Sequence, residues 1–286
     1  MKNKVPCNFG GIPEEFSGYG KAKIVILPVP FDKTSTWLKG ADKGPKAIIE
    51  ASRNMELYDI ETDSEVYKNG IFTGKEIRAE NSQEMLDKVY KKVKKILEDK
   101  KFIAGLGGEH SISLGIIKAY SEFFNNLTVL HLDAHADSKN SYEGSKYNHA
   151  CVMAKVKELV KNIVSIGIRS LDSSELSNIV QDKVFFAQQI YKSSDWQEKA
   201  VNKLSENVYI TLDLDVFDTG IMPSTGTPEP GGLNWYPVLG FLKSVFKTKN
   251  VVGFDVVELC PSQNKAPDFL AAKLIYTMLS YKFSVR

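Results

Sequence analysis

Cysteine is scarce in this chain. Its three residues, Cys7, Cys151 and Cys260, are odd in number and far apart, which argues against a disulfide framework and makes the cytoplasm the expected location. No apolar run approaches the ~20 residues that a membrane span requires. Met1–Gly20 is polar and has no apolar stretch of the signal-peptide kind, so neither membrane insertion nor secretion is expected. Charge of one sign is also lacking. A formal net charge of +2 is too small to suggest nucleic acid or an anionic membrane as a partner. The densest basic run, Lys91-Lys92-Val93-Lys94-Lys95, falls on an amphipathic helical pattern and reads as a solvated face. Internal repeats, low-complexity segments and linkers are missing too, so residues 1–286 read as one domain. Histidine is rare as well, but its four copies all lie between positions 110 and 149.

What is present is apolar material for a substantial core, 43% of residues, in an alternation of short β-rich runs and helical patterns. Strands are expected at Lys23–Val29, Phe102–Ala104, Leu127–Leu132, Ile163–Ile166, Val208–Leu214 and Val251–Val257. Helices are expected from Gly44-Pro45 through Ala51, and over 82–99, 111–124, 151–161, 195–205, 235–247 and 267–281. Such alternation predicts a three-layer, doubly wound α/β fold around a mostly parallel sheet. The long irregular stretches 31–40, 138–148 and 216–234 are the candidate functional loops.

In such a sheet, ligands bind beyond the carboxyl ends of the strands, and acidic residues and histidines cluster there. Gly107-Gly108-Glu109-His110 follows one strand, and Asp133, His135 and Asp137 follow the next. Asp213 and Asp215 end a third, and Glu258 ends a fourth. Spacing by two keeps Asp133, His135 and Asp137 on one side of an extended chain, and Asp213 and Asp215 share that relation. Two histidines and four aspartates are too many and too hard for a lone tetrahedral zinc. They suit two bridged octahedral ions such as Mn²⁺, which can acidify a shared water for attack near neutral pH.

Each piece has a plainer explanation. A strand-end aspartate usually caps a helix or forms a turn, and Gly107-Gly108 can simply permit a tight turn. Cys151, two residues after His149, suggests a Cys–His nucleophile only weakly, because a small thiol at a helix start is ordinary packing. His131 lies inside an apolar strand and reads as packed or as support for a neighbouring ligand. The joint pattern, not any single member, points to a metal centre.

That pattern resembles the ureohydrolases, the arginase and agmatinase family. The resemblance rests on His110 in its Gly-Gly-x-His-Ser setting, Asp133-Ala134-His135-Ala136-Asp137 and Asp213-Leu214-Asp215. It extends to Gly40–Ala47, Gly167-Ile168-Arg169-Ser170, the run 226–233 and Asp255-Val256-Val257-Glu258. It implies an arginase-like fold and a binuclear manganese site with two Mn²⁺ per subunit. One ion would be held by His110, Asp133, Asp137 and Asp213, the other by His135, Asp133, Asp213 and Asp215. His149 would carry protons and contact substrate from a loop, Asp137 would pass a proton to the leaving amine, and Glu258 would receive the guanidinium. A trimer or hexamer is implied as well.

The segment Ser138–Asn148 does not match the arginase loop that reads the α-amino and α-carboxylate groups, whereas residues 148–153 look agmatinase-like. Agmatine, cleaved to putrescine and urea in polyamine biosynthesis, is therefore the expected substrate. Guanidinobutyrate, arginine and formimidoylglutamate are the alternatives within the family, and a non-catalytic metal-binding homologue is the alternative outside catalysis. Asp218-Thr219, Pro223-Ser224-Thr225, Lys46, Ile49 and Pro261-Ser262-Gln263-Asn264 depart from the family pattern. These positions surround the site and bear on the substrate tail rather than on the chemistry.

Overall fold

A computed structural model describes residues 5–284. Its strands are β1 (Ile24–Val29), β2 (Ile71–Thr73), β3 (Phe102–Gly107), β4 (Leu127–Leu132), β5 (Asn162–Ile168), β6 (Val184–Phe186), β7 (Asn207–Asp213) and β8 (Asn250–Val257). The helices are α1 (Glu14–Ser17), α2 (Gly44–Ser52), α3 (Ser82–Glu98), α4 (Ile112–Phe123), α5 (Val152–Val156), α6 (Ala187–Ile190), α7 (Trp196–Asn202), α8 (Trp235–Thr248) and α9 (Ala266–Ser284). The strands form a single sheet in the order β2-β1-β3-β8-β7-β4-β5-β6, and every pairing is parallel.

Alternation along the strands builds the two core layers. Ile24 and Ile26 of β1, with Leu130 and Leu132 of β4, pack with residues of α2, α8 and α9 on one face. Val25, Leu27 and Val29, with Val129, pack with residues of α3, α4 and α5 on the other. Both faces are covered, which is why the strands read as continuous apolar runs. α3 starts where Asn81 accepts the Glu84 N–H at 3.0 Å, an ordinary N-cap. The exposed side of α3 carries Lys91, Lys92 and Lys95, the solvated face expected. Among the described residues no helix is long and apolar enough to cross a membrane.

Two expectations need correction, and two strands were not expected at all. The edge strands β2 and β6 span three residues each, too few for a period to register. The helix expected over 151–161 is shorter: a 3-10 turn at His149–Cys151 leads into Val152–Val156. Asp213 ends β7, but Asp215 sits in a 3-10 turn, Leu214–Val216. A tight turn capped by Asp213, rather than an extended chain, therefore brings these two carboxylates together.

Parallel pairing puts every strand's carboxyl end at one edge, and β3, β8, β7 and β4 are consecutive neighbours there. Close approach, not a turn, explains Gly107 and Gly108. A methyl group at Gly107 would stand 2.5 Å from Val257 Cγ1, and one at Gly108 only 2.0 Å from the Phe31 carbonyl oxygen. The loop after β3 is thereby pressed between β1 and β8, with Glu109 N–H donating to Phe31 O (2.8 Å) and Glu258 N–H to Gly108 O (2.8 Å). Farther along the edge, Arg169 after β5 donates to the carbonyls of Asp215 (2.6 Å), Glu229 (2.8 Å) and Pro230 (3.0 Å). It thus ties down the long loop after β7.

Gly108→Ala should destabilise the fold by more than ~3 kcal/mol, because the neighbour that must yield is backbone. Gly18→Ala, where a methyl group meets nothing within 4 Å, should stay within ~0.5 kcal/mol in the same urea titration. Equal losses at the two positions would refute the close-approach argument.

Candidate metal centre and its pocket

Three carboxylates surround one nitrogen. His110 Nδ1 stands 3.1 Å from Asp133 Oδ2, 3.2 Å from Asp137 Oδ2 and 3.5 Å from Asp213 Oδ2. Beside this group, His135 Nδ1 lies 2.9 Å from Asp215 Oδ2 and 3.6 Å from Asp133 Oδ1. Backbone donors hold the carboxylates in place by one oxygen each. Asp133 Oδ1 accepts from His135 N–H (2.6 Å), Asp213 Oδ1 from Asp215 N–H (2.8 Å) and Asp215 Oδ1 from Ala134 N–H (2.9 Å). On Asp213 and Asp215 the second oxygen is left facing a histidine. Asp137 has φ 47 and Glu258 φ 66, positive values that are uncommon away from glycine and gather at functional sites.

His131 has a different place. Its Nε2 is 2.7 Å from Asp133 Oδ2 and its Nδ1 is 3.2 Å from Ser165 Oγ. Its donor nitrogen stands close enough to His110 and Asp133 to form a three-residue ligand group with them. That nitrogen is already engaged by Asp133, an arrangement compatible with support of the carboxylate.

The electrostatics call for cations. His110 is driven well above its ordinary pKa: burial opposes the charge, but Asp133, Asp137 and Asp213 outweigh it. His135 is raised to about 12, with Asp215 and Asp133 overcoming burial. Burial and mutual repulsion push Asp213 well up, with Asp215 and Asp133 as its neighbours, and raise Asp215 as well. Asp133 resists burial because His131, His110 and His135 hold it well below the usual range. Buried charges need partners of opposite sign. Yet His110 Nδ1, fully buried, makes no hydrogen bond among the described residues. An imidazole nitrogen that faces three carboxylate oxygens without a well-formed hydrogen bond to any of them fits a divalent cation bound by mixed nitrogen and oxygen donors.

The pocket above this cluster is lined by His135, Asp137, Asp213, Asp215, His149 and Glu258. Glu258 Oε1 accepts the His110 N–H at 2.7 Å. Burial first, then the nearby Glu109, pushes its carboxyl well above the usual range. His149 sits in its 3-10 turn with its N–H donating to Thr34 Oγ1 at 2.9 Å, and that hydroxyl donates to Glu109 Oε1 at 2.6 Å. Glu109 also accepts from Lys33 N–H (2.8 Å), Thr34 N–H (2.6 Å) and Ser111 Oγ (2.6 Å). The glutamate of the Gly-Gly-Glu-His motif thus fixes the 31–40 loop, which in turn seats His149. Cys151 is buried, and burial with Asp137 pushes its thiol up to about 11, which favours the packed thiol over a thiolate.

The structure brings His135, Asp137, Asp213, Asp215, His149 and Glu258 to one pocket, with His110 and Asp133 buried against these residues. Sequence reasoning did not single out Thr34 or Thr211. Thr34 lies in a loop flagged only for its length. Thr211, whose Oγ1 is 2.9 Å from His110 Nε2, is concealed in a β-rich run where threonine is an ordinary residue.

Comparison with known proteins agrees with this geometry. The arginase family model matches residues 22–280. The N(1)-aminopropylagmatine ureohydrolase of Synechocystis sp. is 36% identical over 295 residues, covering 96% of this chain and 96% of its own length. The agmatinase of Pyrococcus horikoshii is 32% identical over 263 residues, covering 90% of this chain and 91% of its own. Among solved structures, the agmatine ureohydrolase of Thermoplasma volcanium superposes with a TM-score of 0.87 at 31% identity, over 98% of this chain and 95% of that one. The arginase of Bacillus subtilis gives 0.78 at 27% identity, over 90% of this chain and 98% of that one. The chain belongs to the arginase family and is an agmatinase-like ureohydrolase, a hydrolase of linear amidine C–N bonds.

Proposed function

We propose that this enzyme is a binuclear manganese hydrolase that releases urea from a guanidino compound with an amine-bearing tail, agmatine being the simplest. Glu258 carries the reading. It is a buried carboxylate on the pocket wall beside Asp213 and Asp215, and among the described residues no lysine or arginine pairs with it. A planar guanidinium would supply that partner through charge-assisted hydrogen bonds.

One ion would be held by His110, Asp133, Asp137 and Asp213, and the other by His135, Asp133, Asp213 and Asp215. Bound there, two manganese ions would make water acidic enough to serve as a nucleophile near neutral pH. The chain's own groups do the rest. Glu258 orients the guanidinium carbon over the cluster, and Asp137 moves a proton toward the leaving amine. His149, held by Thr34, supplies the exchange of protons with solvent.

At the pocket mouth stand Trp37, Tyr142, Lys139, Asp172 and Glu175. Both Glu175 oxygens are taken by backbone N–H groups, of Ser138 (2.7 Å) and Asp172 (2.7 Å), so Glu175 shapes the rim. Lys139 lies 4.3 Å over the Tyr142 ring. Asp172 is exposed and engages Ser174 through Oδ1 alone, so its Oδ2 is the acid oxygen available to a tail amine. An agmatine carrying an N1-aminopropyl group is the second reading, supported by the name of the Synechocystis relative.

A urea-release panel on Mn²⁺-loaded protein should favour agmatine or its aminopropyl derivative over arginine and 4-guanidinobutyrate by on the order of 100-fold in kcat/KM. A carboxylate-tailed compound ranking first would overturn the tail assignment. His149→Ala should keep its metal and lose about 10²–10⁴-fold in kcat, whereas Asp213→Ala should lose at least one ion by elemental analysis. Metal loss in the former, or full occupancy in the latter, contradicts these roles. Since the pKa values of His110 and His135 are raised, each holds a proton that a cation must displace. Calorimetry in buffers of different ionisation heat should therefore register proton release on Mn²⁺ binding, with affinity falling as pH falls; pH-independent loading would count against both as ligands.

A further inference from the structure

Just below the cluster, a polar row crosses the sheet. Register pairs Ser165 of β5 with His131 of β4, His131 with Thr211 of β7, Thr211 with Asp255 of β8, and Asp255 with Gly105 of β3. Cross-strand partners in register share a face. A methyl group at Gly105 would stand 2.9 Å from Asp255 Cβ, so the glycine makes room for the carboxylate. Asp255 is fully buried and accepts three hydroxyls. Thr211 Oγ1 (2.7 Å) and Ser113 Oγ (2.9 Å) donate to Oδ1, and Tyr209 OH (2.5 Å) donates to Oδ2.

A hydroxyl has one proton to give. Thr211 directs its own toward Asp255, with the longer contact to Ser113 Oγ at 3.1 Å as the other outlet. In either case its oxygen is left to accept, and the group facing it is His110 Nε2 at 2.9 Å. The imidazole proton then belongs on Nε2. The other nitrogen, Nδ1, is the one that faces Asp133, Asp137 and Asp213.

We propose that Asp255, acting through Thr211, is a positioning residue that holds His110 with its proton on Nε2 and so presents Nδ1 to one of the two cations. This rests on the reading of His110 as a metal ligand. The effect is confined to that ion, because among the described residues the other histidine, His135, makes no hydrogen bond or ion pair with the row. On the opposite side the same row acts through Ser165 and His131 on Asp133, so it reaches the shared carboxylate by a separate path. Asp255→Asn is nearly isosteric. Its amide can donate to Thr211, which frees the threonine proton to turn toward His110 Nε2 and reverses the preferred tautomer.

The test is a Mn²⁺ titration of metal-free protein, read by electron paramagnetic resonance and calorimetry, with the melting temperature of the metal-free form alongside. Asp255→Asn and Thr211→Val should each weaken one ion by on the order of 10–100-fold and leave the other within about twofold. Thr211→Ser, which keeps the hydroxyl, should restore wild-type binding. Tyr209→Phe removes a donor from the far oxygen of Asp255. It should lower the melting temperature without changing either affinity, which separates positioning from general support of the fold. Unchanged Mn²⁺ affinities in both Asp255→Asn and Thr211→Val, or equal weakening of the two ions, would overturn the proposal. A wild-type protein that binds no Mn²⁺ would instead overturn the metal-centre reading on which it stands.

Discussion

Carboxylates buried at one sheet edge cannot all remain charged without positive charge among them, and this constraint organises the molecule. Asp133, Asp137, Asp213, Asp215, Glu109 and Glu258 are all buried. In a low-dielectric interior such a set is costly unless paired or coordinated. His110 and His135 offset part of it by holding protons, and the chain offers the cluster no lysine or arginine among the described residues. What remains is a site short of positive charge, a deficit that the proposed function fills with divalent cations at the cluster and a guanidinium at Glu258. The charge that a substrate and its cofactor must bring is therefore encoded as a deficit in the fold.

Parallel topology makes this crowding possible. The four strands that deliver acids and histidines are neighbours in the sheet but come from distant parts of the chain, so no local segment carries the repulsion alone. Asp133, Asp213 and Asp215 are each restrained by a backbone N–H from their own loop or a neighbouring one. Glycine is needed where β1, β3 and β8 converge, because the Phe31 carbonyl occupies the space a side chain would take at Gly108. The apolar layers on both faces supply the stability that the polar edge spends, and they keep water from relaxing the geometry.

Much of this was legible in the sequence because the chemistry-bearing residues sit at fixed offsets from runs that can only be buried strands. Asp133, His135, Asp137, Asp213 and Glu258 could be placed at one edge from the strand ends alone. The resemblance to ureohydrolases then implies ligand roles for His110 and His135 and a proton-carrying role for His149. What could not be read was lateral. The register that sets Asp255 beside Thr211, and Thr211 near His110, depends on a strand order with β8 between β3 and β7. Periodicity within one strand carries no information about that order. Edge strands β2 and β6 were too short to detect. The Asp213–Asp215 pair was assigned to an extended chain although a 3-10 turn joins them, because spacing by two is compatible with both.

The loops divide between two tasks, and the division explains where family departures are tolerated. Arg169 clamps the carbonyls of Asp215, Glu229 and Pro230, and Glu109 clamps the 31–40 loop through backbone N–H groups. Both anchors bind main chain. A loop held by its main chain can change its side chains without releasing the ligands it supports. The unusual residues at 218–219, 223–225 and 261–264 lie in such loops or beside them, whereas His110, His135 and the carboxylates of the cluster stand at strand ends or follow them directly. Under the proposed function, a side chain such as Trp37 in the 31–40 loop can change with the substrate tail while the cluster of His110, Asp133 and Asp213 stays fixed, because different atoms carry the hydrogen bonds of loop and cluster.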